Sequence, residues 1–397
     1  MKNLHKDQTY IKLYNIDLVF ELIRRTYPIT RKELVEKIGI SQTSVTRILN
    51  SLKKMGLIME EVSNTKGYGR RAMLLNVNRN SYYSAGIEID RGTACICLTD
   101  ISDQIVAYEK MSINSFNPVD EFVERVKSCL LKLMASNYIK KEQMLGIGIS
   151  CIGIIETKTG MITFAPMLKW RDVAIGSLVS KSLDIPVTIQ NDVKTRLISE
   201  ALHNPEIHSK SITFLSIGSG VGAAVMNEGE ILLGINNSAG EIGHLLVDSE
   251  GDICTCGRKG CLQTIISESA ILQRYKKAKN HLVNMDGFML AFEKNEPEAV
   301  EVLEYTVHWM TVAIVNCATL YNTEYIILGG TLVNKYPIFY NKVVQQVETS
   351  IYEPTRKNLK IVIGGNDPLA CVVGAAVNAQ NKFLSDLFVR YENEIPS

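Results

Sequence analysis

The feature that most constrains the fold is a strand, glycine turn and strand pattern that occurs twice in the chain. Residues 85–100 form two apolar runs joined at Arg91-Gly92, and residues 213–226 repeat the pattern around Gly218-Ser219-Gly220. Short apolar runs bounded by glycine predict buried strands. Because strand-like and helical segments alternate from residue 84 onward, we expect an α/β fold with a duplicated core and a cleft between its two lobes.

The composition excludes several classes of protein. With 46% hydrophobic and 21% charged residues among 397, the chain can build two or three folded domains and is unlike a disordered protein. No apolar run reaches the roughly 18 residues of a membrane-spanning helix. The polar N-terminus lacks the apolar stretch of a secretory signal. We therefore expect a cytoplasmic protein with no membrane partner.

Positive charge is concentrated at the N-terminal end. Residues 1–80 contain 15 Lys and Arg against 7 Asp and Glu, a net charge of +8, whereas the rest of the chain has a net charge of −7. A basic segment attached to an acidic body indicates that this segment alone binds a polyanion.

Residues 1–82 have the pattern of a winged helix-turn-helix domain with a linker. Apolar side chains at helical spacing predict a first helix over residues 15–26. Thr30 and Glu33 form a capping box that predicts the start of a second helix, and Ser41 is a suitable N-cap for a third. Two short strands separated by a basic loop follow and predict the wing.

The polar side of the third helix and the wing tip are the predicted DNA-binding surface. The helix buries an apolar stripe that begins at Val45, which leaves short polar side chains and one arginine on its other side. Such side chains reach base edges and phosphates. The predicted DNA-binding residues are Ser41, Gln42, Thr43, Ser44, Thr46 and Arg47 on the helix and Arg70 and Arg71 on the wing. A protein-interaction module with the same helices is the alternative.

Asn191 and Asp192 follow a predicted strand and offer groups that suit a sugar. An asparagine side chain donates and accepts hydrogen bonds, and an aspartate can accept the proton of an attacking hydroxyl. The simpler interpretation is an N-cap for a helix over residues 193–203. The pair by itself favours the cap.

The strongest local motif combines one histidine with three cysteines. His244 is followed by Cys254, Cys256 and Cys261, with glycines that allow sharp turns. These four ligands would complete the tetrahedron of a structural zinc site and leave no open position for catalysis. Disulfide pairing is the competing interpretation, which three local cysteines and an intracellular setting disfavour. The metal is expected to brace the loop that contains Glu241.

Together these motifs resemble the ROK family of repressors, open reading frames and kinases, specifically its repressor branch. The resemblance covers about residues 10–380 and is most specific in Glu241-x-x-His244 and in the cysteine run that ends at Cys261. It implies an actin/hexokinase-like fold with two lobes, a sugar pocket between them, and homodimers or tetramers. By match to family motifs, the sugar-binding residues would be Asn191, Asp192, Glu241, His244 and Gln263.

The resemblance also implies domain boundaries. The winged helix-turn-helix domain would occupy residues 1–82, and the first ROK lobe residues 83–190, closed by a C-terminal helix over 377–397. The second lobe, with the zinc loop and the dimerisation surface, would occupy residues 191–376.

The chain departs from the family pattern at three places. Gln263 stands where the family has a glutamate, and a neutral amide that can also donate indicates a different preferred sugar. Lys194 stands where the family has an asparagine, and Arg91 stands in a phosphate-binding turn where the family has glycine. The candidate phosphate-binding residues of the two glycine turns are Asp90, Gly92, Thr93, Gly218, Ser219 and Gly220.

The leading hypothesis is a sugar-responsive transcriptional regulator, a repressor of carbohydrate-utilisation genes that leaves its operator when a sugar or sugar phosphate binds. Its homodimer would read a pseudo-palindromic operator in double-stranded DNA. The first alternative is a sugar kinase with an appended DNA-binding domain, in which Asp192 is the catalytic base and ATP and Mg²⁺ are required. The second alternative is a regulator whose effector is a sugar-transport protein.

Overall fold

The computed structural model describes residues 8–62, 73–113, 118–204, 206–207 and 210–394 of the chain. The chain divides into two compact units, the first formed by Met1–Gln190 and Val372–Ser397 and the second by Asn191–Cys371. Among the helices in these described ranges, none is both long and apolar enough to cross a membrane.

The N-terminal part of the first unit is a winged helix-turn-helix domain. Its elements are α1 (Gln8–Thr26), β1 (Ile29–Thr30), α2 (Arg31–Ile38), α3 (Gln42–Lys54), β2 (Ile58–Val62) and β3 (Met73–Val77), with strand order β1-β3-β2. The predicted capping box is present, since the Glu33 amide donates to the Thr30 hydroxyl at 3.2 Å and the Thr30 amide donates to the Glu33 carboxylate at 2.8 Å. Ser41 caps α3, as the sequence predicts, and Gly39 ends α2 in the left-handed conformation.

The rest of the first unit is built around a five-stranded sheet with the order β11-β7-β4-β5-β6. The elements in chain order are β4 (Tyr83–Asp90), β5 (Thr93–Asp100), β6 (Ile105–Ser112), α4 (Val119–Ser136), β7 (Met144–Cys151), β8 (Ile154–Glu156), β9 (Met161–Ala165), β10 (Trp170–Val173), α5 (Ile175–Leu183) and β11 (Val187–Asn191). Strands β4, β5 and β6 are antiparallel, and β4 pairs with β7 in parallel. The buried faces of α4 and α5 share one apolar core with this sheet.

The second unit contains a second five-stranded sheet, with the order β14-β13-β12-β15-β16. The strands are β12 (Ile212–Ile217), β13 (Val221–Asn227), β14 (Glu230–Ile231), β15 (Tyr325–Gly329) and β16 (Lys360–Ile363). The helices are α6 (Asp192–His203), α7 (Gln263–Ile266), α8 (Glu268–Lys279), α9 (Met285–Glu293), α10 (Pro297–Tyr321), α11 (Thr331–Lys335), α12 (Pro337–Ser350) and α13 (Glu353–Arg356). Helices α8 to α12 pack in a large apolar core with one face of the sheet.

The two sheets confirm the predicted duplication. In the first sheet β4 and β5 form an antiparallel hairpin, β6 pairs with β5, and β7 pairs with β4 in parallel. In the second sheet β12, β13, β14 and β15 are arranged in the same way. The hairpin turns are the two predicted glycine turns, and Gly92 has a φ of +75°, a conformation that glycine adopts without steric cost. The chain is therefore a mixed α/β protein with a repeated core and an N-terminal winged helix-turn-helix domain.

The last helix, α14 (Ala370–Glu394), begins at Ala370 rather than at the expected residue 377. Its first half lies directly on the first sheet. A Cβ at Gly86 would lie 1.9 Å from the Val372 carbonyl oxygen, and one at Gly148 would lie 1.8 Å from the Ala375 carbonyl oxygen. Glycine in the strands therefore permits the close packing of the first turns of α14 on the sheet.

The second half of α14 completes the core of the winged helix-turn-helix domain. Phe383, Leu384 and Phe388 are buried in one apolar cluster with the inward-facing side chains of α1 and α3. The Phe388 ring meets the Phe20 ring edge to face, with centroids 6.2 Å apart. The winged helix-turn-helix domain thus shares its core with a helix of the C-terminal part of the chain.

A buried polar cluster joins the same elements. The Arg24 guanidinium of α1 donates to the Asp103 carboxylate, between β5 and β6, at 3.0 Å and pairs with Glu21 at 2.6 Å. Gln380 of α14 donates to the same Asp103 oxygen at 2.6 Å. Because the side chains of Arg24 and Asp103 are only 3% and 5% exposed, this ion pair is shielded from solvent.

Candidate functional site

The second unit brings the four predicted metal ligands together. His244, Cys254, Cys256 and Cys261 each present one ligand atom, and these atoms lie within 4.8 Å of one another. The sulfurs of Cys256 and Cys261 are 3.6 Å apart, and the Cys254 sulfur is 3.5 Å from His244 Nδ1. A zinc tetrahedron has S–S edges of about 3.8 Å and S–N edges of about 3.6 Å. The ligand set therefore fits a tetrahedral metal ion, and no disulfide links the cysteines of the described residues.

A tight turn holds the cysteines in this arrangement. The Cys254 amide donates to the Arg258 carbonyl at 2.7 Å and the Gly257 amide donates to the Cys254 carbonyl at 2.9 Å. Gly260 has a φ of +70°, and a Cβ there would lie 1.4 Å from the Asp248 carbonyl oxygen. Only glycine fits this position, which explains the glycine pattern between the cysteines.

Arg258 and the fold of the turn also affect thiol protonation. A hydrogen bond from the Arg258 backbone, with a further one from its side chain, lowers the pKa of the Cys256 thiol to about 6 against the effect of burial. Burial raises the pKa of Cys261 to about 12. The Arg258 guanidinium also donates to the His244 carbonyl at 3.0 Å. Since metals bind the thiolate, the lowered pKa of Cys256 favours metal binding.

Gln263 contacts the metal cluster through its amide group. Its Nε2 donates to the Cys254 sulfur at 3.1 Å and to the Thr255 hydroxyl at 3.1 Å. A glutamate cannot donate these bonds, so glutamine supports the thiolate where the family pattern has a carboxylate. The predicted contact of Gln263 with a sugar stays a prediction.

Asn191 is the N-cap of α6, which was the simpler interpretation of this segment. Its Oδ1 accepts a hydrogen bond from the Val193 amide at 2.9 Å, and Asp192 is the first residue of the helix. Helix α6 packs against β13 of the same unit. The cap fixes the backbone at Asp192, so a role for this pair in sugar binding is compatible with its structural role.

Glu241 lies on a loop that is pressed against β13. Gly240 and Gly243 lie on either side of Glu241. A Cβ at Gly240 would lie 2.1 Å from one β13 carbonyl oxygen, and a Cβ at Gly243 would lie 2.2 Å from another. Glu241 itself is exposed and begins the short 3₁₀ helix Ile242–His244. Backbone packing therefore holds Glu241 and His244 at the two ends of one turn.

In the sequence Lys194 is only a departure from the family pattern, yet the structure places it near the predicted sugar ligands Asp192 and Glu241. Its side chain is fully buried, and Nζ donates to the Asn237 carbonyl at 2.6 Å. Burial lowers the pKa of Lys194, while the Glu241 and Asp192 carboxylates act in the opposite direction. The signal available in the sequence is that Lys194 begins the buried i, i+3, i+7 stripe of α6 with Leu197 and Ala201.

The candidate phosphate-binding turns lie in different units. Asp90, Gly92 and Thr93 are exposed in the first, where the Asp90 carboxylate accepts from the Arg91 amide at 2.6 Å. Ser219 and Gly220 are exposed in the second, whereas Gly218 is buried against Thr331. Their role in phosphate binding stays a prediction.

The predicted recognition surface of α3 is largely open to solvent. Ser41, Gln42, Thr43 and Arg47 are exposed, although Ser41 also accepts from the Ser44 amide, and the Thr46 hydroxyl donates to the Gln42 carbonyl. Gln42, Thr43 and Arg47 are thus available for DNA, and the hydroxyls of Ser41 and Thr46 also stabilise the helix. Arg70 and Arg71 lie outside the described residues.

Solved structures related to this chain share its architecture. The structure of a ROK family transcriptional regulator, a homolog of the Escherichia coli MLC protein, has a TM-score of 0.81 at 23% identity and covers 96% of this chain and 98% of its own. The ROK hexokinase from Thermus thermophilus has a TM-score of 0.69 at 17% identity and covers 77% of this chain and 99% of its own.

Curated relatives match both parts of the chain. The xylose repressor of Bacillus subtilis is 26% identical over 368 residues, which cover 91% of this chain and 94% of the relative. The DNA-binding transcriptional dual regulator NagC of Escherichia coli is 24% identical over 395 residues, 96% of each chain. The winged helix-turn-helix DNA-binding model matches residues 18–59, and the ROK family model matches residues 84–382. The chain therefore belongs to the ROK family, with a winged helix-turn-helix domain before its ROK domain.

Proposed function

We propose that the protein is a sugar-responsive transcriptional repressor. The observation that supports this function most is one chain that contains both an exposed recognition helix and an entire ROK domain. The relatives that match over 91–96% of the chain, and so include its DNA-binding domain, are a xylose repressor and the regulator NagC. DNA as the partner also favours the cytoplasm as its location.

Helix α3 is the part that reads the operator in this proposal. Gln42 and Thr43 at its N-terminus would meet base edges, while Arg47 would contact a phosphate or a base. In a homodimer two such helices read half-sites about 34–36 Å, or a multiple of that distance, apart. The dimer, or a tetramer, is a part of the proposal that sedimentation analysis tests.

The sugar site is proposed on the second unit. Asp192, Glu241 and His244 would accept and donate hydrogen bonds with sugar hydroxyls, with Asn191 holding the start of α6. Zinc on the Cys₃His cluster would supply structural bracing, because four protein ligands fill its tetrahedron. The histidine would then present its remaining ring nitrogen to the sugar in a fixed orientation.

Induction requires that the sugar distinguish two states of the protein. A ligand that moves the DNA-binding state from 99% to 1% of the population must bind the other state about 10⁴-fold more tightly, or about 5.5 kcal/mol. A sugar that binds both states equally would leave the operator occupied.

A DNA-binding titration with and without sugars tests the proposal. Fluorescence anisotropy with the DNA upstream of the protein's own gene should show tight binding that D-xylose or N-acetylglucosamine, or a phosphate ester of either, weakens. The control is Arg47→Ala, which should lose DNA affinity but keep the sugar-dependent rise in melting temperature. Equal DNA affinity with every one of these sugars would refute induction.

Sugar phosphorylation and a protein effector are the two competing hypotheses. A kinase would release ADP in a sugar-dependent manner, and Asp192→Asn would abolish that release. We expect no sugar-dependent ADP release, because the curated relatives that include the DNA-binding domain are regulators. Sugar-independent capture of a sugar-transport protein would favour the second hypothesis.

A further inference from the structure

We propose that Lys194 is a positioning residue of the sugar site: its buried ammonium ties α6 to the loop over residues 232–241 and thereby holds Glu241 beside Asp192. The link to sugar binding rests on the proposed function, whereas the tie between helix and loop does not.

The burial of this lysine indicates a specific role. The side chain is 1% exposed and is among the largest fully buried side chains of the described residues. Lysine is almost never fully buried unless paired, because an ammonium in the interior is costly without hydrogen bonds or opposite charge. The Nζ–Asn237 carbonyl distance of 2.6 Å is that of a strong, charge-assisted hydrogen bond. The hydrogen bond to the Asn237 carbonyl therefore offsets part of the cost of burying the Lys194 ammonium.

The loop has little freedom between this bond and Glu241. Asn237 is itself buried and has a φ of +62°. Three residues later, the Gly240 carbonyl accepts from the Ala223 amide of β13 at 2.8 Å, and no Cβ would fit at this glycine. Glu241 follows immediately. The loop is therefore fixed by α6 at one point and by β13 at the next, and the position of Glu241 depends on both.

Charge supports the same assignment. Asp192 is two residues before Lys194 in α6, and both Asp192 and Glu241 are near enough to raise the pKa of the ammonium against the effect of burial. Without the ammonium the two carboxylates would repel each other. The Lys194 ammonium therefore lies within the electrostatic influence of two carboxylates of the proposed sugar site.

Hydrogen exchange of the full-length protein without any sugar tests the tie. The first variant is Lys194→Met, whose side chain has a similar length and no charge. The second variant, Lys194→Gln, replaces it in the experiment if Lys194→Met does not fold. The control is Lys276→Met on the exposed side of α8. We expect exchange in residues 232–241 to rise about tenfold or more in either Lys194 variant and to stay at the wild-type rate in the control. Wild-type exchange in this segment in both Lys194 variants would overturn the proposal.

A double-mutant cycle on sugar affinity tests whether Lys194 acts through Glu241. Calorimetric titration with D-xylose and N-acetylglucosamine should show Lys194→Met and Glu241→Gln each weakening binding about tenfold, and the double variant no weaker than the weaker single variant. A residue that only stabilises the fold would instead multiply the two losses, and that result would overturn the positioning role. If wild-type protein binds neither sugar, the choice of effector fails, while the exchange experiment still decides the tie.

Discussion

Replacing Arg24 with methionine tests how firmly the winged helix-turn-helix domain is attached to the rest of the first unit. The guanidinium lies 3.0 Å from Asp103 and 2.6 Å from Glu21. Methionine replaces most of the arginine stem but leaves the buried Asp103 carboxylate without a cation. Removing one partner of a buried ion pair costs about 3–5 kcal/mol. Because Arg24 belongs to α1, this cost should appear as easier opening of α1.

The loss of stability caused by Arg24→Met should depend on pH. Burial raises the pKa of the Asp103 carboxyl from its ordinary value of 3.8 to about 6, against the opposing effect of Arg24. The folded state therefore binds this proton more tightly than the unfolded state. The stability due to that proton is fully present below about pH 4 and is lost as pH rises through 6. Without Arg24 the pKa is higher still, so at pH 5 the variant has a neutral Asp103 and loses less stability than at pH 8.

Hydrogen exchange of the α1 amides, corrected for the intrinsic rate at each pH, measures this effect. At pH 8 we expect Arg24→Met to accelerate exchange by roughly 10²- to 10⁴-fold, the equivalent of about 3–5 kcal/mol. Arg25→Met is the control, since Arg25 pairs with the same Glu21 at the surface and should cost no more than about 1 kcal/mol. Wild-type exchange at pH 8, or an equal loss at pH 5 and pH 8, would refute the reasoning.

Three further predictions concern the metal site and the DNA surface. A chelator should lower the melting temperature of wild-type protein but not that of Cys254→Ser, and elemental analysis should find zinc only in the former. Gly260→Ala should abolish metal binding because its Cβ would lie 1.4 Å from the Asp248 carbonyl oxygen, whereas Gly257→Ala, with open space at its Cβ, should cost only about 1–2 kcal/mol and keep the metal. Arg47→Ala should weaken binding to all DNA sequences and reduce the slope of log K against log[salt] by about 1, and an unchanged slope would exclude a phosphate contact.

The elements of this fold could be predicted where their signal is local. Helix α4 runs from Val119 to Ser136 and α10 from Pro297 to Tyr321, and in both the buried side chains recur at helical spacing. Both helices bury one continuous face, so the helical spacing of their apolar side chains is enough to predict them. Helix α14 begins at Ala370 rather than at the expected residue 377, and its first turns pack on glycines of β4 and β7, which only the folded sheet brings to the helix.

The residues of the candidate site also differ in whether local sequence is enough to predict them. Cys254, Cys256 and Cys261 lie within eight residues, so their spacing alone predicts a metal cluster. The role of Lys194 could not be predicted, because its partner is the Asn237 carbonyl, 43 residues away. A backbone acceptor cannot be recognised from the type of residue in the sequence. Arg24 and Asp103 are 79 residues apart, and nothing local distinguishes them from surface charges.

The shared core of α14 and the winged helix-turn-helix domain has a consequence for how the protein is made. The domain leaves the ribosome well before Phe383, Leu384 and Phe388, which belong to its apolar core. At about 5–20 residues per second, some 300 residues of synthesis separate the two, a delay of roughly 15–60 s. A fragment ending near residue 82 would therefore lack the three α14 side chains that pack with its own helices. Exchanging DNA-binding specificity between two such regulators calls for transplanting both ends of the polypeptide together.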